Sequence, residues 1–182
     1  SQGMITIKNA AEYEITMETE GHIIPSYEKR KSNIQNQLQN ESNKLDLILH
    51  DDEALLDEVT ALVESPKVYQ AQFDKEFLSI PEECLILTMK TNQKYFPLFG
   101  PAGKLAEKFL LVSNMDLDDP SHIIEGNEKV VRPRLADAKF FYQGDMNTPL
   151  KELAEKLKNV VYHNKLGTQH DRVIRLGKLS KR

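Results

Sequence analysis

Four basic side chains within one short segment are the residues best suited to bind a ligand. They are Lys129, Arg132, Arg134 and Lys139, in the stretch GNEKVVRPRLADAKFFY. If this stretch is helical, Arg132 and Lys139 lie on one side of the helix, and Asp137 is placed to pair with Arg134. Clustered ammonium and guanidinium groups bind the phosphates of nucleic acids. We therefore predict phosphate contacts here, with a salt-bridged surface helix as the alternative.

The charge of the chain changes sign at this segment. Residues 1–125 hold 11 Lys and Arg against 22 Asp and Glu, a net charge of −11, whereas residues 126–182 hold 13 against 6, a net charge of +7. The whole chain carries −4, which argues against a general binder of polyanions. The positive part predicts a face for phosphate or for an acidic partner, and a solvated helical region is the alternative.

Other catalytic and metal-binding patterns are missing from the sequence. Five scattered histidines and one cysteine do not supply the ligands of a structural zinc site. His170-Asp171 is interpreted as the polar start of a helix, and NMDLDDPS as a turn, because it lacks the glycine and the final glutamate of a calcium loop. Neither a phosphate-binding P-loop nor a GxSxG elbow occurs. We therefore predict neither catalytic residues nor a metal site.

The aromatic residues are predicted to belong to the core. Tyr95 and Phe96 in NQKYFPLF are interpreted as core residues, and stacking on a base or ribose is the alternative. The aromatics at 140–142 are interpreted as buried anchors rather than stacking platforms. Cys84 lies in an apolar helical run, so it is predicted to be a buried, structural thiol.

The elements that would position these residues mix helices and strands without regular alternation, which favours an α+β fold. Predicted helices follow Ser26, follow Asp51 or Asp52, open at Pro81 and open at Thr148-Pro149. Predicted strands are a short one at Ile5 and Ile7, KVYQAQF, and a hairpin from KYFPLF through GPAG to residues 109–112. LDLIL is either a strand or a helix entry, and the polar stretch QNQLQNESN is predicted to run into an exposed loop.

The basic segment itself has two predicted geometries. If its helix starts at Asn127, Pro133 is interior and kinks the helix. If the regular helix starts near Arg132, Pro133 lies in its first turn without penalty, and the sequence slightly favours this second geometry.

The composition also indicates the cellular compartment. No apolar run approaches the roughly 20 residues of a membrane span, and no signal peptide is recognisable at the N-terminus. A single cysteine cannot form an internal disulfide, so we expect a cytoplasmic protein. We divide the chain into a tag remnant (1–3), an α+β module (4–147) and a helical basic segment (148–182) that leads into a further module.

Five blocks of sequence, in order, resemble the beta subunit of bacterial heterotetrameric glycyl-tRNA synthetase. They are EGHIIPSYEKRKSNIQNQL, LLDEVTALVESP, FLSIPEECLILTMKTNQKYFPLF, GNEKVVRPRLADAKFFYQGD and PLKELAEKLKNVVYHNKLGT. The resemblance covers nearly everything after Met4. Because the family's chain is several times longer, the sequence is expected to be an internal fragment.

The resemblance implies a place in the ATP-dependent attachment of glycine to its tRNA. It places the aminoacylating site in the alpha subunit and assigns tRNA binding and assembly to the beta subunit. ATP and Mg²⁺ are expected to be used by the whole enzyme, and no cofactor is expected in this fragment. It also implies a fold similar to the editing-type module of the phenylalanyl-tRNA synthetase beta chain. The leading hypothesis is a tRNA-contacting module, not itself catalytic, whose partners are the alpha subunit and glycine tRNA. A pure interaction scaffold is the alternative, and hydrolytic editing of mischarged tRNA is a weaker one.

Overall fold

The computed structural model describes residues 3–181, which form two compact units, Ser1–Ala138 and Lys139–Arg182. The described helices are α1 (Tyr13–Thr19), α2 (Tyr27–Lys44), α3 (Glu53–Leu62), α4 (Glu82–Thr88), α5 (Ser121–Asn147), α6 (Leu150–Lys156) and α7 (Gln169–Leu179). The described strands are β1 (Ile48–Leu49), β2 (Lys67–Gln72), β3 (Phe96–Phe99), β4 (Leu105–Ser113), β5 (Val161–His163) and β6 (Gly167–Thr168). The predicted α+β class is confirmed.

The first unit is built on a four-stranded antiparallel sheet in the order β1-β3-β4-β2. Alternate residues of a strand point to opposite faces, so each face of the sheet has its own set of buried side chains. One face packs against α2 and α3 through a cluster that contains Ile34, Leu38, Leu55, Leu56, Val59, Val68, Phe96, Leu98 and Leu110. Phe109, fully buried, belongs to the other face, where it stacks on Tyr95 with ring centroids 4.6 Å apart.

Local sequence signals explain the helices that cover the first face. The Ser26 side chain caps α2 by accepting a hydrogen bond from the Lys29 amide, and Asp52 caps α3 by accepting one from the Leu55 amide. The Ser26 cap was predicted, and Asp52 is the one of the two candidates, Asp51 and Asp52, that caps α3. The apolar faces of both helices are buried at most of their positions, but Tyr27 and Leu62, which their spacing assigned to the same faces, are 37% and 65% exposed. The helix predicted after Ser26 continues through the polar stretch QNQLQNESN to Lys44, and a short turn at residues 45–46 follows it. Within that stretch Leu38 and Ser42 are buried, and most of the other residues face solvent.

Two further predictions about this unit are settled. The hairpin around GPAG is confirmed, although its return strand begins at Leu105 rather than at residue 109. The strand at Ile5 and Ile7 is wrong, since residues 4–9 form no strand and a short 3-10 turn begins at Ala10. The side chain of Asn9 accepts a hydrogen bond from the Glu12 amide, and this local bond starts a helical turn instead.

The edge strand β2 is covered by side chains from two helices. Gln37 of α2 accepts the Val68 amide hydrogen at 2.9 Å, and Glu128 of α5 accepts the Gln72 amide hydrogen at 2.9 Å. These bonds satisfy backbone donors that would otherwise be open to another strand. The sheet edge is therefore not a free template for pairing.

The second unit contains α6, the hairpin of β5 and β6, and α7. Thr168 and Asp171 form a capping box at the start of α7, which confirms that His170-Asp171 is a polar helix start. Gly167 has a φ of +87°, and a Cβ there would overlap the Asp171 carboxylate, so glycine is required at this turn. Between residues 139 and 181 no side chain is buried, and Val173 and Leu176 are about half exposed.

Candidate nucleic-acid interface

The helix that carries the basic segment begins earlier than the sequence indicated. The side chain of Asp119 accepts a hydrogen bond from the Ser121 amide at 3.0 Å, and the Pro120 carbonyl accepts from the amides of Ile123 and Ile124. The hydrogen bonds from Ser121 lower the pKa of Asp119. Both predicted starts, at Asn127 and near Arg132, are therefore wrong, and the start signal was the sequence DDPS.

Asn127 has a tertiary role inside the helix rather than a capping role at its end. Its side-chain oxygen accepts a hydrogen bond from the Tyr95 hydroxyl at 2.6 Å, and its amide nitrogen donates to the Ile123 carbonyl at 2.7 Å. Tyr95 is only 3% exposed, and burial raises its pKa to about 12. A buried hydroxyl needs a partner, so Asn127 satisfies it and fixes the position of α5 on the sheet.

Pro133 lies in the interior of α5, which continues through it to Asn147. Proline cannot donate to the carbonyl of Lys129 four residues earlier, and an interior proline costs about 3 kcal/mol. Two neighbours on the core side, Val131 and Leu135, are fully buried and hold the helix against the rest of the unit. Tertiary packing thus outweighs the local preference for a helix start at this proline.

The structure places all four predicted basic residues on α5. Lys129 and Arg132 are exposed and lie three residues apart, hence on neighbouring parts of the helix surface. The Nη1 atom of Arg132 lies 2.8 Å from Oδ2 of Asp74, and its Nη2 donates to Oδ1 at 3.4 Å. The Nζ of Lys129 lies 3.4 Å from Glu125.

These ion pairs are weak enough to be exchanged for a ligand. The side chain of Arg132 is 67% exposed and that of Lys129 is 78% exposed. Solvent-exposed pairs contribute about 0–1 kcal/mol, so a phosphate can compete for both cations. No sequence signal identified Asp74 as the partner of Arg132, since it lies 58 positions away in the chain.

Arg134 and Lys139 occupy different surroundings. Arg134 is exposed, and at about 100° per residue it projects roughly 200° around the helix axis from Arg132. Among the described residues it forms no ion pair with Asp137, so the predicted pairing is wrong. Lys139 is partly buried and belongs to the second unit.

The cavity beside Arg132 is small. It has a volume of about 100 Å³ and is lined by Gln72, Phe73, Asp74, Glu128 and Arg132. Ligand pockets for small molecules usually measure roughly 300–1,000 Å³. A ligand that uses Arg132 would therefore lie on the surface of α5 rather than enter a pocket.

The aromatic and thiol residues divide into confirmed and wrong predictions. Tyr95 and Phe96 are both 3% exposed, so their assignment to the core is confirmed. Phe140 and Phe141 are 71% and 66% exposed, so their interpretation as buried anchors is wrong for the described chain. Cys84 is only partly buried, because it lies beside, not on, the stripe of α4 that buries Leu85.

Two features of the described part of the chain concern metals and membranes. Within residues 3–181, no group of three or more His, Cys, Asp or Glu is placed to hold a metal ion. None of the helices in that range is long and apolar enough to cross a membrane.

Comparison with known proteins relates this sequence to one class. Residues 1–182 match the family model described as glycyl-tRNA synthetase beta subunit. The chain is 53% identical over 97% of its length to the glycine-tRNA ligase beta subunit of Neisseria meningitidis FAM18. It is 52% identical over its whole length to that of Aromatoleum aromaticum, and 49% identical over 99% to that of Methylobacillus flagellatus.

These relatives define the class as a subunit of an aminoacyl-tRNA synthetase, a ligase of protein biosynthesis. The chain belongs to the glycyl-tRNA synthetase beta-subunit family, as the five sequence blocks indicated. It spans about a quarter of the length of these relatives, 26%, 26% and 25% respectively. The prediction that the sequence is a fragment is therefore confirmed.

Proposed function

We propose that this chain is a tRNA-contacting part of a glycine-tRNA ligase beta subunit. In this proposal it supports ATP-dependent attachment of glycine to tRNA by binding the tRNA and by assembling with the alpha subunit in the cytoplasm. ATP and Mg²⁺ would be used by the whole enzyme, whose aminoacylating site this proposal places in the alpha subunit. The fold would correspond to the editing-type module of the phenylalanyl-tRNA synthetase beta chain.

The observation that carries the proposal is the pair of exposed cations on α5, at the point where the chain turns from acidic to basic. Lys129 and Arg132 project from a helix that Asn127, Val131 and Leu135 hold in place, so their charge is presented at a fixed position. Cations on the exposed surface of a fixed helix suit the regularly spaced phosphates of a nucleic-acid backbone. Arg134 and Lys139 are further candidates for contacts with the same tRNA.

The salt dependence of tRNA binding tests this proposal. In the full-length enzyme, the double change Lys129→Gln and Arg132→Gln removes two cations while it keeps the length of the side chains similar. Each lost phosphate contact should reduce the slope of log K against log salt by roughly 0.7–0.9, so the slope should fall by about 1.5. Lys104→Gln, at an exposed lysine of the acidic half, is the matched control.

Two outcomes decide the matter. A reduced slope with weaker binding in the double variant, and neither effect in the control, supports phosphate contacts at Lys129 and Arg132. An unchanged affinity and slope would refute them. Asp74→Asn provides an independent measurement, because it frees Arg132 and should leave tRNA binding equal or tighter.

A pure interaction scaffold is the second candidate function. The exposed apolar side chains of the second unit favour it. Four of them are 66–85% exposed: Phe140, Phe141, Leu150 and Leu179. Exposed apolar side chains of this kind occur at sites of association. Under this alternative the alpha subunit or another part of the beta subunit covers these residues, and charge removal on α5 changes assembly rather than tRNA affinity.

A further inference from the structure

Two adjacent phenylalanines at the C-terminal part of α5 are presented to solvent. Phe140 and Phe141 are 71% and 66% exposed, and they contact each other edge to face with centroids 5.5 Å apart and planes at 74°. Large aromatic side chains normally supply core area, so two exposed neighbours are unusual. Because the second unit contains no buried side chain among its described residues, these rings serve no core there.

The high exposure of both rings leaves ring surface available for stacking. A planar nucleobase stacks on an aromatic face with a contribution that does not depend on the base, since every base has a π-face. Helices that present such rings beside cations are suited to unpaired bases, which can leave their own stack and lie on a protein surface.

The charge of the second unit is complementary to RNA. Residues 139–182 hold 10 Lys and Arg against 4 Asp and Glu, a net charge of +6. Arg172 already stacks on an aromatic ring in this unit, with its guanidinium carbon 4.7 Å from the Tyr162 centroid. The centres of protein interfaces are depleted of charge, whereas surfaces that bind single strands combine aromatic rings with a positive field. The observations therefore favour RNA over a protein as the occupant.

We propose that Phe140 and Phe141 form a stacking platform for unpaired bases of the bound tRNA. This proposal rests on the proposed function, because it assumes that the chain contacts tRNA. The contribution of the two rings is distinct from that of Lys129 and Arg132, since stacking involves no release of counterions. The dependence of tRNA affinity on salt concentration therefore distinguishes the two kinds of contact.

Tryptophan fluorescence provides the first test, because the 182-residue chain contains no tryptophan. Phe140→Trp and Phe141→Trp each introduce a single reporter ring at the platform, and Leu166→Trp places one at another exposed site of the same unit. A glycine tRNA transcript should quench the emission at positions 140 and 141 and leave position 166 unchanged. Equal quenching at all three positions, or none, overturns the platform.

Affinity in the full-length enzyme provides the second test. Phe140→Leu and Phe141→Leu keep an apolar, helix-compatible side chain and remove the ring, so the fold is retained. Each change should weaken binding of the transcript about 5-fold or more, with the salt slope unchanged.

The outcomes separate the two proposals. If the leucine variants bind normally while Lys129→Gln and Arg132→Gln reduce the salt slope, the platform is wrong and tRNA contact stands. If neither set changes binding, both proposals are wrong. If the reporter emission at positions 140 and 141 shifts to the blue on addition of the alpha subunit without tRNA, a protein covers the rings and the platform is overturned.

Discussion

The hydrogen bond between Tyr95 and Asn127 should contribute measurably to the stability of the first unit. The two oxygens are 2.6 Å apart, and the tyrosine is 3% exposed. Asn127→Ala leaves the buried hydroxyl without its acceptor and should lower the free energy of unfolding by about 1–3 kcal/mol. Tyr95→Phe leaves only the partly exposed asparagine, which water can reach, and should cost about 0.5–1.5 kcal/mol.

A double-mutant cycle isolates the bond from the other effects of each change. Urea unfolding of the 182-residue chain, followed by circular dichroism, gives the free energy of unfolding for the parent, both single variants and the double variant. We expect a coupling energy of about 1 kcal/mol, because the double variant loses the bond only once. Tyr13→Phe, at a tyrosine 47% exposed, should change stability by less than about 0.5 kcal/mol. Strictly additive single effects would refute the argument that this bond attaches α5 to the sheet.

Three further predictions concern the same helix and its packing. Pro133→Ala restores a helical hydrogen bond and should raise the midpoint of thermal unfolding by roughly 2–4 °C for each kcal/mol gained, as calorimetry would show; a lower midpoint would mean that the proline is favourable there. Leu135→Ala should cost about 2–5 kcal/mol in urea unfolding because Leu135 is fully buried, whereas Phe140→Ala should cost less than about 0.5 kcal/mol; equal costs would contradict the burial pattern. Burial raises the pKa of Tyr95 from 10.0 to about 12, so the folded chain keeps this proton at higher pH than the unfolded chain does. The contribution of this pKa shift to the free energy of unfolding is complete below pH 10 and is lost as pH rises towards about 12. Tyr95→Phe should remove this part of the alkaline loss of stability. An identical dependence of stability on pH in the two proteins would contradict the shift.

Much of the first unit could be predicted because its signals are local. Ser26 and Asp52 cap their helices through bonds to amides three residues later, and the apolar stripes that follow have helical spacing. The GPAG turn between two apolar runs identified the hairpin in the same way. Such signals lie within a few residues of the element that they determine.

The geometry of the candidate site was harder to predict from the sequence, because it depends on residues that are distant in the chain. Arg132 pairs with Asp74, 58 residues earlier in the chain, and the position of α5 depends on Tyr95, 32 residues before its partner Asn127. Pro133 locally favours a helix start, but the burial of Val131 stabilises a helix that begins earlier. The exposure of Phe140 could not be predicted either, since composition alone assigns an aromatic ring to a core.

Cross-linking of the intact enzyme with bound tRNA tests the central claim most directly. Ultraviolet irradiation of the complete assembly with glycine tRNA, followed by mass spectrometry of its peptides, locates the amino acids that contact RNA. We predict nucleotide adducts on the segment from Lys129 to Phe141, and a loss of the adducts around positions 129–132 when Lys129 and Arg132 are changed to glutamine. Adducts confined to other parts of the enzyme, with this segment cross-linked only to protein, would contradict the account.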